Sequence, residues 1–242
     1  MFKFFKVGGC VRDELMGLKS KDIDYTVVAD DPFFQNFPTD GVFIMLEAWL
    51  ETSGYKIWLS TPDCFTIRAK FPDNHKMAGI TADFVLARKE KGYIPGTRQP
   101  IVEVGTLYDD LLRRDFTVNA IAQDEQGNYI DLFNGKRDIL KKILRTPLPI
   151  EQTFNEDPLR ILRAIRFQIT KGFIPTDELF NAILEYDYSK MKVVSEERIR
   201  EELTKCFKFD TKETLTILYN ISKLKDYIFN ETKLWLKPTT EQ

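Results

Sequence analysis

The segment Thr146-Pro147-Leu148-Pro149 divides the chain into two stretches with different hydrophobic periods. Upstream, strand-like and helix-like runs alternate. FKFFKV, DIDYTVVA, YKIWLS, CFTIRAKF and TADFVLAR read as strands, whereas VRDELMG, FIMLEAWLETSG and LYDDLLRR carry helical spacing. KEKGYIPGTRQP reads as a polar loop, and AIAQDEQGNYIDLF as a hairpin turning at Gln126-Gly127-Asn128. Downstream, DPLRILRAIRF, TDELFNAILEYD, SEERIREELTKCF and KETLTILYNISKLKDYIF all repeat apolar residues at helical intervals, and the strand signal does not return. The pattern predicts an α/β head over residues 1–147 and an all-helical part over 148–242.

Composition narrows the function classes. A 43% hydrophobic, 13% aromatic chain of 242 residues can bury a core, which excludes a disordered protein. Its 35 Lys and Arg against 37 Asp and Glu give a formal net charge of -2, so any grip on nucleic acid has to be local. Cys10, Cys64 and Cys206 are widely spaced and read as buried free thiols in a reducing compartment. With His75 as its single histidine, the chain cannot build a multi-histidine zinc centre, and no catalytic role is expected for that residue. No apolar run is long enough to span a bilayer, and the N-terminus does not read as a signal peptide. A soluble, cytoplasmic protein without a membrane partner is expected.

The stretch VGGCVRDELMGLKSKDIDYTVV raises a chemical question. In a strand, Asp22 and Asp24 would project to one face, with Ile23 turned into the core. Neighbouring carboxylates repel unless a cation lies between them, and hard oxygen ligands favour Mg²⁺. A turn-capping role for one aspartate is the plain alternative. Gly8-Gly9, between a strand and a helix, could receive a phosphate on bare backbone N–H groups, or serve only as a tight turn. Arg12 could add a charged fork. Triphosphate and metal are expected to meet here.

These residues resemble the signature of the class II tRNA nucleotidyltransferase and bacterial poly(A) polymerase family, within the polymerase β-like nucleotidyltransferase superfamily. TADFVLARKEKGY, DDLLRRDFTVNAIA, DLFNGKRDIL, EDPLRILRAIRF and SEERIREEL resemble further family blocks, in order and over essentially the whole chain. The resemblance implies an α/β head of polymerase β-like type, a small mixed sheet with flanking helices, followed by an all-helical neck and partial body. It implies that Asp22 and Asp24 hold Mg²⁺ as catalytic and metal residues, with Asp83 a third carboxylate assisting the attacking hydroxyl. It also places a triphosphate contact at Arg114. Asp115 and Asn119, four residues apart, would share a face of a helical turn and read the ribose 2′-hydroxyl.

The block EDPLRILRAIRF bears on base choice. Asp157, before Pro158, could simply cap a helix. Chemically, a carboxylate accepts from an exocyclic amine and a guanidinium donates to a ring nitrogen or carbonyl. Asp157 with Arg160 would therefore accept cytosine and adenine, and reject uracil and guanine, whose carbonyl faces the carboxylate. In the family the matching Asp and Arg act as a protein template, and Arg163 and Arg166 help to hold it. DLFNGKRD resembles a block coupling head to neck, and SEERIREEL a helix buttressing the base pocket. Typical members continue into further helical domains, so the chain reads as a C-terminally short member. The resemblance implies addition of C and A from CTP and ATP to RNA 3′ ends, with tRNA the expected RNA. An oligo- or poly(A)-adding enzyme and a non-catalytic nucleotide- or RNA-binding module are the alternatives. Oligomeric state is not legible.

Overall fold

Strand β1 (Phe2–Val7) and strand β2 (Asp24–Ala29) pair antiparallel, from Phe2 opposite Ala29 to Val7 opposite Asp24. Between them Gly8, at φ +76°, turns the chain into helix α1 (Gly9–Leu15). A computed structural model of the chain describes residues 1–20, 22–93 and 100–232, with backbone alone at 90–93, 100, 101 and 231. Two units are present, Met1–Arg137 and the chain from Asp138 onward.

In the first unit, helix α2 (Thr39–Thr52) precedes strands β3 (Lys56–Thr61), β4 (Thr66–Lys70) and β5 (Thr81–Leu86). A ribbon of β6 (Arg88–Tyr93) and β7 (Pro100–Val104) leads to helix α3 (Leu107–Leu112), and strands β8 (Ile121–Gln123) and β9 (Tyr129–Asp131) form a hairpin. The main sheet has the order β3-β4-β5-β2-β1-β8-β9 and is mixed, because β2 and β5 run parallel while the other neighbours are antiparallel. This is the expected fold class. Alternation assigns the faces. Phe4, Val27, Ile67, Phe84 and Leu86 meet Val42, Phe43, Leu46 and Leu50 of α2 on one side. Val7 and Ala122 meet Leu111 of α3 and Ala120 on the other. It is this second face that carries the acidic residues.

The second unit, which begins within helix α4 (Gly135–Lys141), is built from α5 (Ile150–Glu156), α6 (Leu159–Lys171), α7 (Asp177–Glu185), α8 (Glu196–Phe209) and α9 (Thr211–Asn220). On α6, Ile161, Leu162, Ile165 and Phe167 are buried, while Arg160, Arg163 and Arg166 form a half-buried row at three-residue spacing. Gly172, at φ +68°, ends this helix. A parallel ladder of β10 (Ile143–Leu144) with β11 (Ile174–Pro175) is the one strand pairing among the described residues here, too short to leave a period in the sequence.

Several expectations need correction. KEKGYIPGTRQP is not a loop throughout: its flanks belong to the β6–β7 ribbon, while 94–99 lie outside the described residues. A two-stranded ribbon demands less alternation than a sheet with a buried face. Cys10 and Cys206 are buried free thiols, but Cys64 is exposed, because it closes the surface 3-10 turn Pro62–Cys64. His75 lies stacked on Phe71, with ring centroids 4.6 Å apart, which fits a packing role. No helix among the described residues is long and apolar enough to cross a membrane.

Candidate functional site

Asp24 is the first residue of β2, opposite Asp83 on β5, and Asp83 in turn lies opposite Arg68 on β4. The register therefore places Asp24, Asp83 and Arg68 in one row on the α3 side of the sheet. Asp83 accepts both arms of the Arg68 guanidinium, at 2.7 Å each. Asp24 is half-buried, and its carboxyl is pushed above the ordinary range. Burial is the chief cause, Asp83 and Asp22 add to it, and Arg114 and Arg68 oppose it.

Asp22 does not share a strand face with Asp24. The ladder with β1 ends at Val7 opposite Asp24, because β1 turns away at Gly8. On the other side the last bond is Asp83 N–H to the Ile23 carbonyl, at 3.0 Å. Asp22 thus stands exposed just before the strand, and its carbonyl accepts from Ser20 Oγ at 2.9 Å. Its charge still acts on Asp24. Among the described residues, no three or more His, Cys, Asp or Glu gather into a group that could hold a metal by themselves.

Beside Asp24, the buried carboxylate of Asp110 on α3 organises an arginine pair. Arg114 donates to its Oδ2 from Nε at 3.2 Å and from Nη2 at 2.8 Å, Arg113 donates to Oδ1, and the Thr26 hydroxyl donates at 2.6 Å. Thr26 is two residues after Asp24 on β2, so it shares that face. Arg114 thereby reaches the turn at Gly8. A Cβ at Gly8 would lie 3.0 Å from Arg114 Nη1 and 3.6 Å from Asp24 Oδ2, so glycine keeps open a space bounded by a cation and an anion. At Gly9 an added Cβ would make only ordinary contact with Arg12. Gly8→Ala is expected to lower stability by about 1 kcal/mol through its left-handed backbone, and to weaken nucleotide binding by filling that space. Thermal melts and nucleotide titration of the variant check both effects.

Arg12 is not a free fork. It is buried in α1, where Nε and Nη2 donate to Asp13 Oδ1 at 2.9 and 2.7 Å and Nη1 donates to Asn119 Oδ1 at 2.6 Å. Asn119 Nδ2 donates to Asp115 Oδ1 at 2.8 Å, so these two residues do meet across the 3-10 turn Thr117–Asn119. Asn119 retains a second amide N–H.

In the second unit, Asp157 links α5 to α6. Its Oδ1 accepts the Leu159 N–H at 3.1 Å and its Oδ2 accepts Arg198 Nη2 at 3.0 Å. The Arg160 guanidinium is held by the Thr153 carbonyl at 3.2 Å and Glu156 Oε2 at 3.1 Å. Asp157 and Arg160 thus have different side-chain partners. Arg166 donates to the buried Glu202 of α8, whose second oxygen accepts from Lys205 at 3.3 Å. Burial alone would raise the Glu202 carboxyl, but Arg166, Arg163 and Lys205 hold it below the usual range.

Sequence reasoning missed Thr26, Arg68, Asp110, Arg198 and Glu202. Asp110 stands three and four residues before Arg113 and Arg114, a legible helical spacing. The others meet their partners across strands or helices. A cavity of about 630 Å³ opens on the opposite face of the sheet, lined by Tyr25, Trp49, Tyr55, Phe71 and Phe84 among others. None of the expected site residues lines it.

The chain is similar in sequence and fold to known proteins. Residues 4–145 match the family model of the poly A polymerase head domain. A CCA-adding enzyme of Buchnera aphidicola is 32% identical over 237 residues, 95% of this chain and 50% of its own length. One from Staphylococcus aureus is 32% identical over 84% of this chain and 46% of its own. The solved Bacillus stearothermophilus CCA-adding enzyme in complex with CTP superposes with a TM-score of 0.71 at 29% identity, covering 90% of this chain and 47% of that one. The Thermotoga maritima enzyme complexed with tRNA gives a TM-score of 0.67 at 25% identity, covering 94% and 48%. The chain spans about half the length of the curated relatives it matches.

Proposed function

This chain belongs to the family of CCA-adding enzymes and poly(A) polymerases, and from that membership and the geometry of Asp24 we infer that it is a template-independent RNA nucleotidyltransferase. It adds C and A from CTP and ATP to RNA 3′ ends, the RNA being tRNA. The observation that supports this most is the half-buried Asp24 carboxylate, raised by burial and by Asp83 and Asp22, beside the space that Gly8 leaves open to Arg114. A cation relieves such crowding.

Asp22 and Asp24 would hold the divalent ion, and two carboxylates completed by substrate phosphates form the donor pattern that Mg²⁺ takes. When bound, such an ion neutralises phosphate charge and orients the reacting oxygens. Arg114, fixed by Asp110 and Thr26, takes the triphosphate beside the backbone of Gly8 and Gly9. Asp83 receives the proton of the attacking 3′-hydroxyl once Arg68 yields one of its two contacts. Arg12 braces Asn119, and Asn119 with Asp115 reads the ribose 2′-hydroxyl. In the second unit, whose helices serve as neck and partial body, Asp157 accepts the exocyclic amine of cytosine or adenine and Arg160 donates to the ring edge. Arg163 and Arg166, with Glu202, stiffen the helix that carries them.

The test incubates the purified chain, Mg²⁺ and each labelled nucleotide with tRNA lacking part or all of its 3′ end. Addition that stops after three nucleotides is expected. Long A tracts would assign the chain to poly(A) synthesis instead, and no incorporation on any RNA would make it a binding module. Asp157→Ala should raise misincorporation of U and G by at least about tenfold, since it removes the acceptor that excludes them. Unchanged base choice would return Asp157 to helix capping.

A further inference from the structure

We propose that the cavity of about 630 Å³ on the α2 face of the main sheet binds a small organic cation, an alkylated ammonium, at a site separate from the nucleotide centre. Strand register builds its floor. Gln123 of β8, Lys6 of β1, Tyr25 of β2 and Phe84 of β5 stand opposite one another in turn, so their side chains form one row on this face. Val7, Asp24 and Asp83, one residue further along these strands, belong to the other face. Trp49 of α2, Tyr55, residues of the segment 71–77 and the hairpin turn 124–127 complete the lining.

Six aromatic rings meet this space, those of Phe4, Tyr25, Trp49, Tyr55, Phe71 and Phe84. Their mutual angles favour a rounded guest over a flat one. Tyr55 stands at 87° to Phe84, Phe71 at 62° to Phe84 and Tyr25 at 64° to Phe71. The pair closest to parallel among the six, Tyr25 and Phe84 at 12°, has centroids 5.3 Å apart. Interleaving a base would need about 7 Å, two van der Waals contacts. Inclined rings present negative faces from several directions, which is the arrangement that receives a quaternary ammonium. Among the described residues, no lysine or arginine of the protein lies over any of these six rings, so their faces are open to a cation from outside.

The charges around the cavity agree in sign. Glu14, Asp124 and Glu125 line it, against Lys6 and Lys76. Lys6 is balanced locally, 3.8 Å from Glu14 and donating to Gln123 Oε1 at 3.4 Å. Glu14 also accepts from the Tyr129 hydroxyl at 2.7 Å, and Asp124 accepts from Asn128 N–H and Nδ2 at 2.8 and 3.0 Å. Glu125 has neither a hydrogen bond nor an ion pair among the described residues, and it stands exposed in the turn. Its field nevertheless reaches the rings: burial pushes the Tyr25 and Tyr55 hydroxyls up, and the Glu125 charge adds to that. Glu125 is therefore the carboxylate available to a bound cation.

The experiment titrates choline into the intact chain carrying isotope-labelled methionine methyls and follows Met77, which lines the cavity and is assigned with M77L. The neutral alcohol in which carbon replaces the choline nitrogen, and indole, are titrated in parallel. Choline should shift the Met77 methyl saturably and bind at least about tenfold more tightly than the neutral alcohol. E125Q should weaken choline about threefold and melt like wild type, since the residue is exposed, while W49L should weaken it about fivefold. Should W49L melt early, E125Q and the neutral alcohol still decide. Saturating CTP should leave the choline titration unchanged, because the two ligands occupy opposite faces of the sheet. Equal binding of choline and the alcohol would make this a plain apolar cavity, and indole binding without choline a seat for flat rings; either overturns the proposal. So does the absence of a saturable Met77 shift, a shift that E125Q leaves unaltered, or displacement of choline by CTP. None of these outcomes bears on nucleotide transfer, which is measured separately.

Discussion

Asp24→Asn is expected to lower nucleotide transfer by at least about a thousandfold while raising the melting temperature of the metal-free protein. Both effects follow from the Asp24 carboxylate at the start of β2. Burial raises it, the charges of Asp83 and Asp22 raise it further, and Arg114 and Arg68 only partly compensate. Its folded-state value lies above its unfolded one, so the folded chain holds the proton more tightly. Stability is then lost as pH rises through the window between the two values, and at neutral pH the ionised group remains a net cost to folding. Asparagine keeps the shape and removes that cost. The same substitution removes a ligand from the proposed divalent site. Mg²⁺ with CTP should therefore raise the melting temperature of wild type by mass action and leave the variant unmoved. Undiminished transfer by Asp24→Asn would sink the metal assignment. Transfer loss with lower metal-free stability would point to a structural aspartate instead.

What could be read from the sequence depended on how far apart the interacting residues lie. The alternation in FKFFKV and the apolar run after Asp24 are properties of consecutive residues, and both became strands. The helical row of Arg160, Arg163 and Arg166 follows from spacing alone in the same way. The limits of elements were less legible. β2 begins at Asp24 and not at Asp22, because the partner strand β1 leaves the sheet at Gly8, and nothing in DIDYTVVA records that departure. Pairing partners were least legible of all. Arg68 meets Asp83 only through the β4–β5 register, and Arg198 reaches Asp157 across 41 residues through the packing of the helical unit. Arg12 shows the converse: at the opening of α1 it reads as a phosphate fork, yet its donors go to Asp13 and Asn119 inside the fold.

Asp110→Ala is expected to cost about 3 kcal/mol of stability in the first unit, the lower end of the range for breaking a buried ion pair, since both arginines reach solvent. Asp110 is fully buried, and its two oxygens receive Arg113, Arg114 and the Thr26 hydroxyl. Burial alone would raise this carboxyl, but Arg114 and Arg113 in first place, and the Thr26 bond after them, hold it well below the usual carboxylate range. For a depressed value the stabilisation is present above the unfolded-state value of about 4 and is lost as pH falls through the lower folded one. The deficit of Asp110→Ala against wild type, read from urea melts, should therefore be as large at pH 5 as at pH 7. A deficit that vanishes by pH 5 would mean that the arginines do not hold this carboxylate. Transfer should fall as well, even where the variant is fully folded. Arg114 reaches Gly8 because Asp110 and Thr26 fix its guanidinium, and without that anchor the space beside Asp24 loses its oriented cation. Asp110→Asn separates the two effects. It can still bond Thr26 yet carries no charge, so a loss of stability close to that of alanine would show that ionic pairing, and not the hydrogen bond to the strand, sets the position of Arg114.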